Sequence, residues 1–126
     1  MQIVHRREGD ILIVEVLEAR LATSAAQDFG EQLNHLIELG HQRVVLNVQR
    51  VRFIDSSGLG IIVMLQRRLA DHGEIAIVSD QEAVLNVLKL TRMNKIFRVF
   101  PDEASAVAAL NEGSSPDTPA GASVEE

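Results

Sequence analysis

The sequence predicts an α/β domain in the order β-β-α-β-α-β-α-β-α, with a mostly parallel sheet packed by helices. Two observations point there. Short aliphatic and β-branched runs alternate with stretches of helical length after an opening pair of strands. A length of 126 residues with 46% hydrophobic and 24% charged residues suits one ordinary globular domain with a single core.

The opening pair is Ile3 to Arg6 and Ile11 to Leu17, joined by Glu8-Gly9-Asp10, a turn signal between β-branched segments. From Ser24 to Leu39 the apolar residues Ala26, Phe29, Leu33, Leu36 and Ile37 recur at helical spacing, with Thr23 or Ser24 as the cap and Gly40 as the stop. Arg43 to Val48 reads as a buried strand, and Phe53-Ile54 ends the connection that leads to the next helix. That helix opens at Asp55-Ser56-Ser57-Gly58 and finishes before Gly73, apolar in its first half and polar in its second.

Glu74 to Ser79 is the next strand, and Asp80 is expected to cap a helix carrying Ala83, Val84, Leu85, Val87, Leu88 and Leu90. Those residues cover too wide an arc for one buried stripe, so the helix is either deeply buried or presents an adhesive surface. A strand from Ile96 to Phe100 and a helix from Asp102 to Leu110, begun after Pro101, close the domain. Residues 1–111 are expected to form the folded unit. Residues 112–126, with two of the three prolines and Val124 as the one large aliphatic, read as a disordered acidic tail.

Composition excludes several chemistries. The four aromatics are Phe29, Phe53, Phe97 and Phe100, too few for base- or sugar-stacking platforms. The net charge of −6 arises from 12 basic and 18 acidic residues; Asp117, Glu125 and Glu126, all in the segment from Ser114 to Glu126, supply half of the excess. A weakly acidic body is no collector of phosphate backbones, so nucleic acid is not an expected partner. The absence of cysteine excludes disulfides and thiolate chemistry. No apolar run reaches the ~18 residues of a membrane helix, and the start shows no secretory apolar region, so the expectation is a cytoplasmic protein without a membrane partner.

Catalytic constellations are poor. His5, His35, His41 and His72 sit at unrelated spacings without a nearby carboxylate pair, and read as solvated rather than metal-binding. Gly58-Leu59-Gly60 lacks the following Lys-Ser/Thr of a phosphate-binding loop, and Ser57 is not in a nucleophile-elbow context. Neither an enzyme activity nor a cofactor is expected. What stands out is Asp55-Ser56-Ser57, three consecutive capping residue types, followed by two nearby glycines at a strand-to-helix connection. Two readings fit these residues: a well-capped helix packed closely through its glycines, or an exposed hydroxyl that a kinase can modify beside free N–H groups.

At these residues the sequence resembles the STAS family, in particular the small bacterial anti-sigma factor antagonists. The resemblance spans roughly Ile3 to Leu110 and is most specific in VVLNVQRVRFIDSSGLGIIV, residues 44 to 63. It implies a STAS-type fold and a partner-switching module. Unphosphorylated, such a module binds a GHKL-type serine kinase that acts as an anti-sigma factor, and so releases the kinase's target. Phosphorylation ends that binding and a PP2C-type phosphatase restores it.

Carried onto this chain, the resemblance makes Ser56 the phosphoacceptor. It assigns partner contacts to Asp55, Ser56, Ser57, Gly58 and Leu59, and to the neighbouring connection from Ala19 to Ser24, with Leu21, Ala22 and Thr23 at its centre. Free of partners, the chain is expected to be a monomer. Two departures mark it. Similar antagonists usually read Gly-x-Leu-Asp where this chain has Ala19-Arg20-Leu21-Ala22, and many carry Asp where Asn47 stands. The alternative is a STAS scaffold that is never phosphorylated and serves a transporter or signalling assembly, using the apolar arc to Leu90 with Lys89, Arg92, Lys95 and Arg98.

Overall fold

The structure, a computed structural model, describes residues 2–40, 43–69 and 73–113. Strands β1 (Ile3–Glu8) and β2 (Ile11–Val16) form the expected antiparallel hairpin, with Gly9 in the left-handed turn position at φ +63°. Strands β4 (Arg43–Asn47), β6 (Glu74–Val78) and β7 (Arg98–Phe100) then add in parallel, giving one five-stranded sheet in the order β1-β2-β4-β6-β7.

The order within this sheet decides where the helices lie. From β2 onward the strands join in one direction, and right-handed crossovers then place every connecting helix on the same face. Helices α1 (Thr23–Glu38), α2 (Ser56–Leu69) and α3 (Glu82–Leu90) bury Phe29, Leu33, Ile62, Leu65, Val84 and Leu88 there, against Leu12, Val14, Val44, Leu46, Ile75 and Ile77. The opposite face is left to α4 (Glu103–Gly113), whose Ala106 and Leu110 cover Ile11, Ile13, Val45, Ala76 and Val78. Both faces of β2, β4 and β6 are covered. Their near-continuous aliphatic runs follow from that, since alternate residues enter different cores.

Several local expectations are corrected. Neither Thr23 nor Ser24 caps α1: the cap position is Ala22, which offers no side-chain oxygen, and the Thr23 hydroxyl donates to the Ala22 carbonyl at 2.8 Å. Asp80 does not cap α3. Gln81 holds that position, and the Ser79 hydroxyl oxygen accepts the Gln81 N–H at 3.1 Å. The last strand is shorter than Ile96 to Phe100, because Met93–Lys95 forms a 3-10 turn that carries the chain as far as Ile96. Helix α4 extends to Gly113, three residues past the expected Leu110; residues 114–126 of the expected tail, with His41 and His72, lie outside the described residues.

A polar network ties α4 to the sheet. The Glu103 carboxylate accepts from Arg6 at 2.8 Å and from the buried Asn47 amide at 2.6 Å, while Asn47 Oδ1 accepts the Gln49 N–H at 2.8 Å. Burial pushes the Glu103 carboxyl up, but the hydrogen bonds from Arg6 and Asn47 and the Arg6 charge outweigh it and hold the pKa below the ordinary value. A lowered carboxyl pKa stabilises the fold above the unfolded-state value of about 4.3 and loses that contribution as pH falls through the folded value. We expect Glu103→Ala to cost roughly 1–3 kcal/mol at pH 7, because the buried Asn47 amide keeps its bond to Gln49 Oε1 but loses the charge-assisted one, and Arg6 loses its partner. In urea unfolding, the gap between parent and variant should narrow on acidification below about pH 4.3; a gap independent of pH would contradict the ion-pair origin.

Candidate functional site

Two strand-to-helix connections meet at the carboxyl end of the parallel strands. One leads from β2 into α1, the other from β4 into α2, and each contains a two-residue strand: β3 (Arg20–Leu21) and β5 (Phe53–Ile54). These pair in parallel as a separate small sheet, Arg20 opposite Phe53 and Leu21 opposite Ile54. Its backbone ties are Arg52 N–H and Phe53 N–H to the Ala19 carbonyl, at 2.8 and 3.2 Å, and Asp55 N–H to the Leu21 carbonyl at 3.5 Å. Alternation along such short strands turns Leu21 and Ile54 into the core and leaves Arg20 and Phe53 outside. There the Arg20 guanidinium lies 4.4 Å from the centre of the Phe53 ring.

Helix α2 starts on this platform. Asp55 is its cap, with Oδ1 accepting the Gly58 N–H at 3.1 Å, and the Asp55 carbonyl accepts the first helical bond from Leu59 N–H at 3.0 Å. The side that enters the core reads Gly58, Ile62, Leu65, Leu69 at helical spacing. Gly58 is needed here for space. A Cβ at that position would lie 2.4 Å from the Leu21 carbonyl oxygen and 2.9 Å from Ile54 Cγ1, so only glycine lets the helix sit this close to β3 and β5. Gly60, by contrast, is exposed and faces open space.

That close seat sets what is presented outward. Ser56 and Ser57, the first two residues of α2, are exposed, and their N–H groups precede the first intrahelical bond. The helix dipole adds a positive field at the same place. Asp55 and Leu59 are half-buried and Thr23 is exposed, whereas Leu21, Ala22 and Gly58 are buried. The expected contact residues therefore divide into two groups. Thr23, Ser56 and Ser57, with parts of Asp55 and Leu59, form surface; Leu21, Ala22 and Gly58 shape it from beneath.

Thr23 sits at φ +52°, a left-handed conformation that a β-branched residue adopts only at a cost of roughly 1–3 kcal/mol. The turn beside Ser56 is thus held under strain. Arg20, within the expected connection, and Phe53, 43% exposed and not among the expected contacts, complete the surface. The one available signal for Phe53 is its alternation with Ile54, over a strand too short to read from the sequence. Among the described residues no group of three His, Asp or Glu side chains is arranged to hold a metal ion.

Residues 2–106 match the family described as the STAS domain. The chain belongs to that family. A similar protein is BtrV of Bordetella bronchiseptica, named as an anti-sigma factor antagonist, 25% identical over 102 residues that cover 80% of this chain and 88% of BtrV. Among solved structures, an anti-sigma factor antagonist from Mycobacterium paratuberculosis superposes with a TM-score of 0.81 at 18% identity, covering 87% of this chain and 93% of that one. SpoIIAA, an anti-sigma factor antagonist solved in its unphosphorylated form, superposes with a TM-score of 0.73 at 18% identity, covering 87% and 96%. SpoIIAA of Bacillus in its phosphorylated form gives a TM-score of 0.66 at 17% identity over 86% and 99% of the two chains. At these identities the solved structures establish the STAS fold.

The packing at Gly58 gives opposite expectations for two glycines of one helix. Gly58→Ala should destabilise the protein by roughly 1–3 kcal/mol through overpacking against Leu21. Gly60→Ala should stabilise it by roughly 0.4–1 kcal/mol through the loss of unfolded-state entropy alone. Chemical denaturation of both variants checks the pair, and equal effects would show that α2 does not sit against β3 as described.

Proposed function

We propose that this chain is an anti-sigma factor antagonist whose binding is switched at Ser56. Unphosphorylated, it binds a GHKL-type serine kinase that is also the anti-sigma factor, and the kinase's target is released. Phosphorylation of Ser56 ends the complex, and a PP2C-type phosphatase restores it. The observation that carries this reading is the exposed Ser56 hydroxyl on the first turn of α2, on a corner whose backbone is seated by Gly58 against Leu21. The family assignment and the antagonists among its relatives support the same reading.

The physical basis of the switch is charge placed on a surface that a partner must dehydrate. A phosphate adds about −1.5 to −2 charge beside Asp55 while the free N–H groups of the first turn accommodate it without disturbing the fold. Burying that charge against a partner costs about 3–5 kcal/mol, which weakens the complex by on the order of 10²–10³. Position 22 is alanine, so the acidic residue that similar antagonists carry at this turn contributes nothing here. Kinase contacts then fall on Thr23, Ser56, Ser57, Leu59 and the Arg20–Phe53 pair.

No chemistry is asked of the chain beyond its hydroxyl; the kinase and phosphatase supply the rest. Incubation with ATP and the GHKL-type kinases of the same genome, read by mass spectrometry, should place phosphate on Ser56. Ser56→Ala should bind such a kinase and stay unmodified, while Ser56→Asp should bind at least about tenfold more weakly. Phosphate found only at other residues, or no complex with any of these kinases, would overturn the proposal.

A further inference from the structure

The wide apolar arc of α3 is only partly absorbed by the core. Val84 and Leu88 are buried, but Leu90 is 83% exposed at the helix end and Ile96, just past the 3-10 turn, is 55% exposed. Between and beside them stand Lys89, Arg92 and Lys95, all exposed, and among the described residues none of the three is in an ion pair. Arg98 is engaged, with both its Nε and Nη2 bonded to Glu74 at 2.6 and 3.1 Å. The stretch Lys89 to Arg98 holds four of the chain's 12 basic residues and no acid, on a chain whose net charge is −6.

Arg92 adds a second observation. It follows Thr91, the C-cap of α3, at φ +62°, and its N–H is bonded to the Lys89 carbonyl at 3.1 Å. Glycine or asparagine suits that position best, because a Cβ is disfavoured in the left-handed region. Arg92 places a long cationic side chain at a position where the backbone favours glycine or asparagine.

The topology separates this ridge from the Ser56 corner. Helix α3 leaves the carboxyl end of β6 and must deliver the chain to the amino end of the parallel β7. Its nine residues carry the backbone about 13 Å along the sheet. Leu90, Arg92 and Ile96 therefore lie toward the opposite end of the molecule from Ser56. A partner held here need not dehydrate the Ser56 hydroxyl.

We propose that the ridge from Lys89 to Ile96 is a second docking surface, for an acidic amphipathic segment of a partner protein, and that it works in either state of Ser56. Charge complementarity selects the partner: with Glu74 occupied by Arg98, the three cations left without an ion pair steer carboxylates, and Leu90 and Ile96 between them take apolar side chains. An anionic membrane is the poorer match, because polybasic lipid anchors use clusters of about 4–8 cations. This inference does not depend on phosphorylation of Ser56.

The test is a titration of the full chain, followed residue by residue by NMR, with a synthetic helical peptide of about sixteen residues carrying leucines on one face and glutamates on the other. Shifts confined to Lys89–Arg98 are expected. Binding should weaken at least about tenfold when Lys89, Arg92 and Lys95 are all changed to Glu, and should be unchanged in Ser56→Asp. Arg92→Gly should raise the thermal midpoint by relieving the backbone yet weaken peptide binding, a combination that a purely structural arginine would not produce. Equal binding of a peptide with lysine in place of glutamate, shifts centred elsewhere, or undiminished binding by Arg92→Gly would overturn the proposal. So would binding to phosphatidylserine vesicles with no response to the peptide.

Discussion

The close seat of α2 on the β3–β5 platform, with Gly58 against the Leu21 carbonyl, is the contact on which the site depends. It locks together two connections that the main sheet leaves as separate loops. Leu21 and Ile54 fill the space beneath, Asp55 caps the helix from the edge, and the first turn is left facing solvent with Ser56 and Ser57 outward. A bulkier residue at position 58 would lift the helix from β3, and the serines and the Arg20–Phe53 pair would no longer share one rigid surface. In this site a backbone approach, rather than a catalytic side chain, holds the functional group in place.

The wider architecture serves this arrangement by directionality. Because the strands add one after another in a single direction, α1, α2 and α3 share one face and their amino ends gather at the carboxyl edge of the sheet. That edge also carries the polar ties: Asn47, Gln49 and Glu103 link β4 and its following loop to α4, and the Gln81 side-chain amide donates to the Gln49 carbonyl at 3.0 Å. The opposite edge is held differently, by Arg43, which reaches Asp10 at 2.5 Å and the Leu110 carbonyl. One end of the sheet is a braced platform for the first turn of α2. The other presents the cationic ridge.

Long periodic segments were legible from the residues alone. The helical spacing from Ala26 to Ile37, the aliphatic runs of β2, β4 and β6, and Gly40 as the end of α1, at φ +103°, all appear where the pattern places them. Short elements were not, since β3 and β5 have two residues each and no periodicity can show in two residues. Their pairing is a long-range event set by the crossovers. The caps at Thr23 and Asp80 failed because each helix starts one residue away from the expected position, at Ala22 and Gln81, where no side chain bonds back to the helix. At the site, Asp55, Ser56 and Gly58 were visible as an over-specified run, but that Gly58 acts through space on Leu21 became visible only in three dimensions.

The central claim is that the two connections form one recognition surface around Ser56. Hydrogen–deuterium exchange of the chain with and without the GHKL-type kinase proposed as its partner tests this most directly. Protection should appear together at residues 19–24 and 53–60 and vanish from both when Ser56 carries phosphate. Protection confined to α4, or persisting unchanged on the phosphorylated chain, would contradict it.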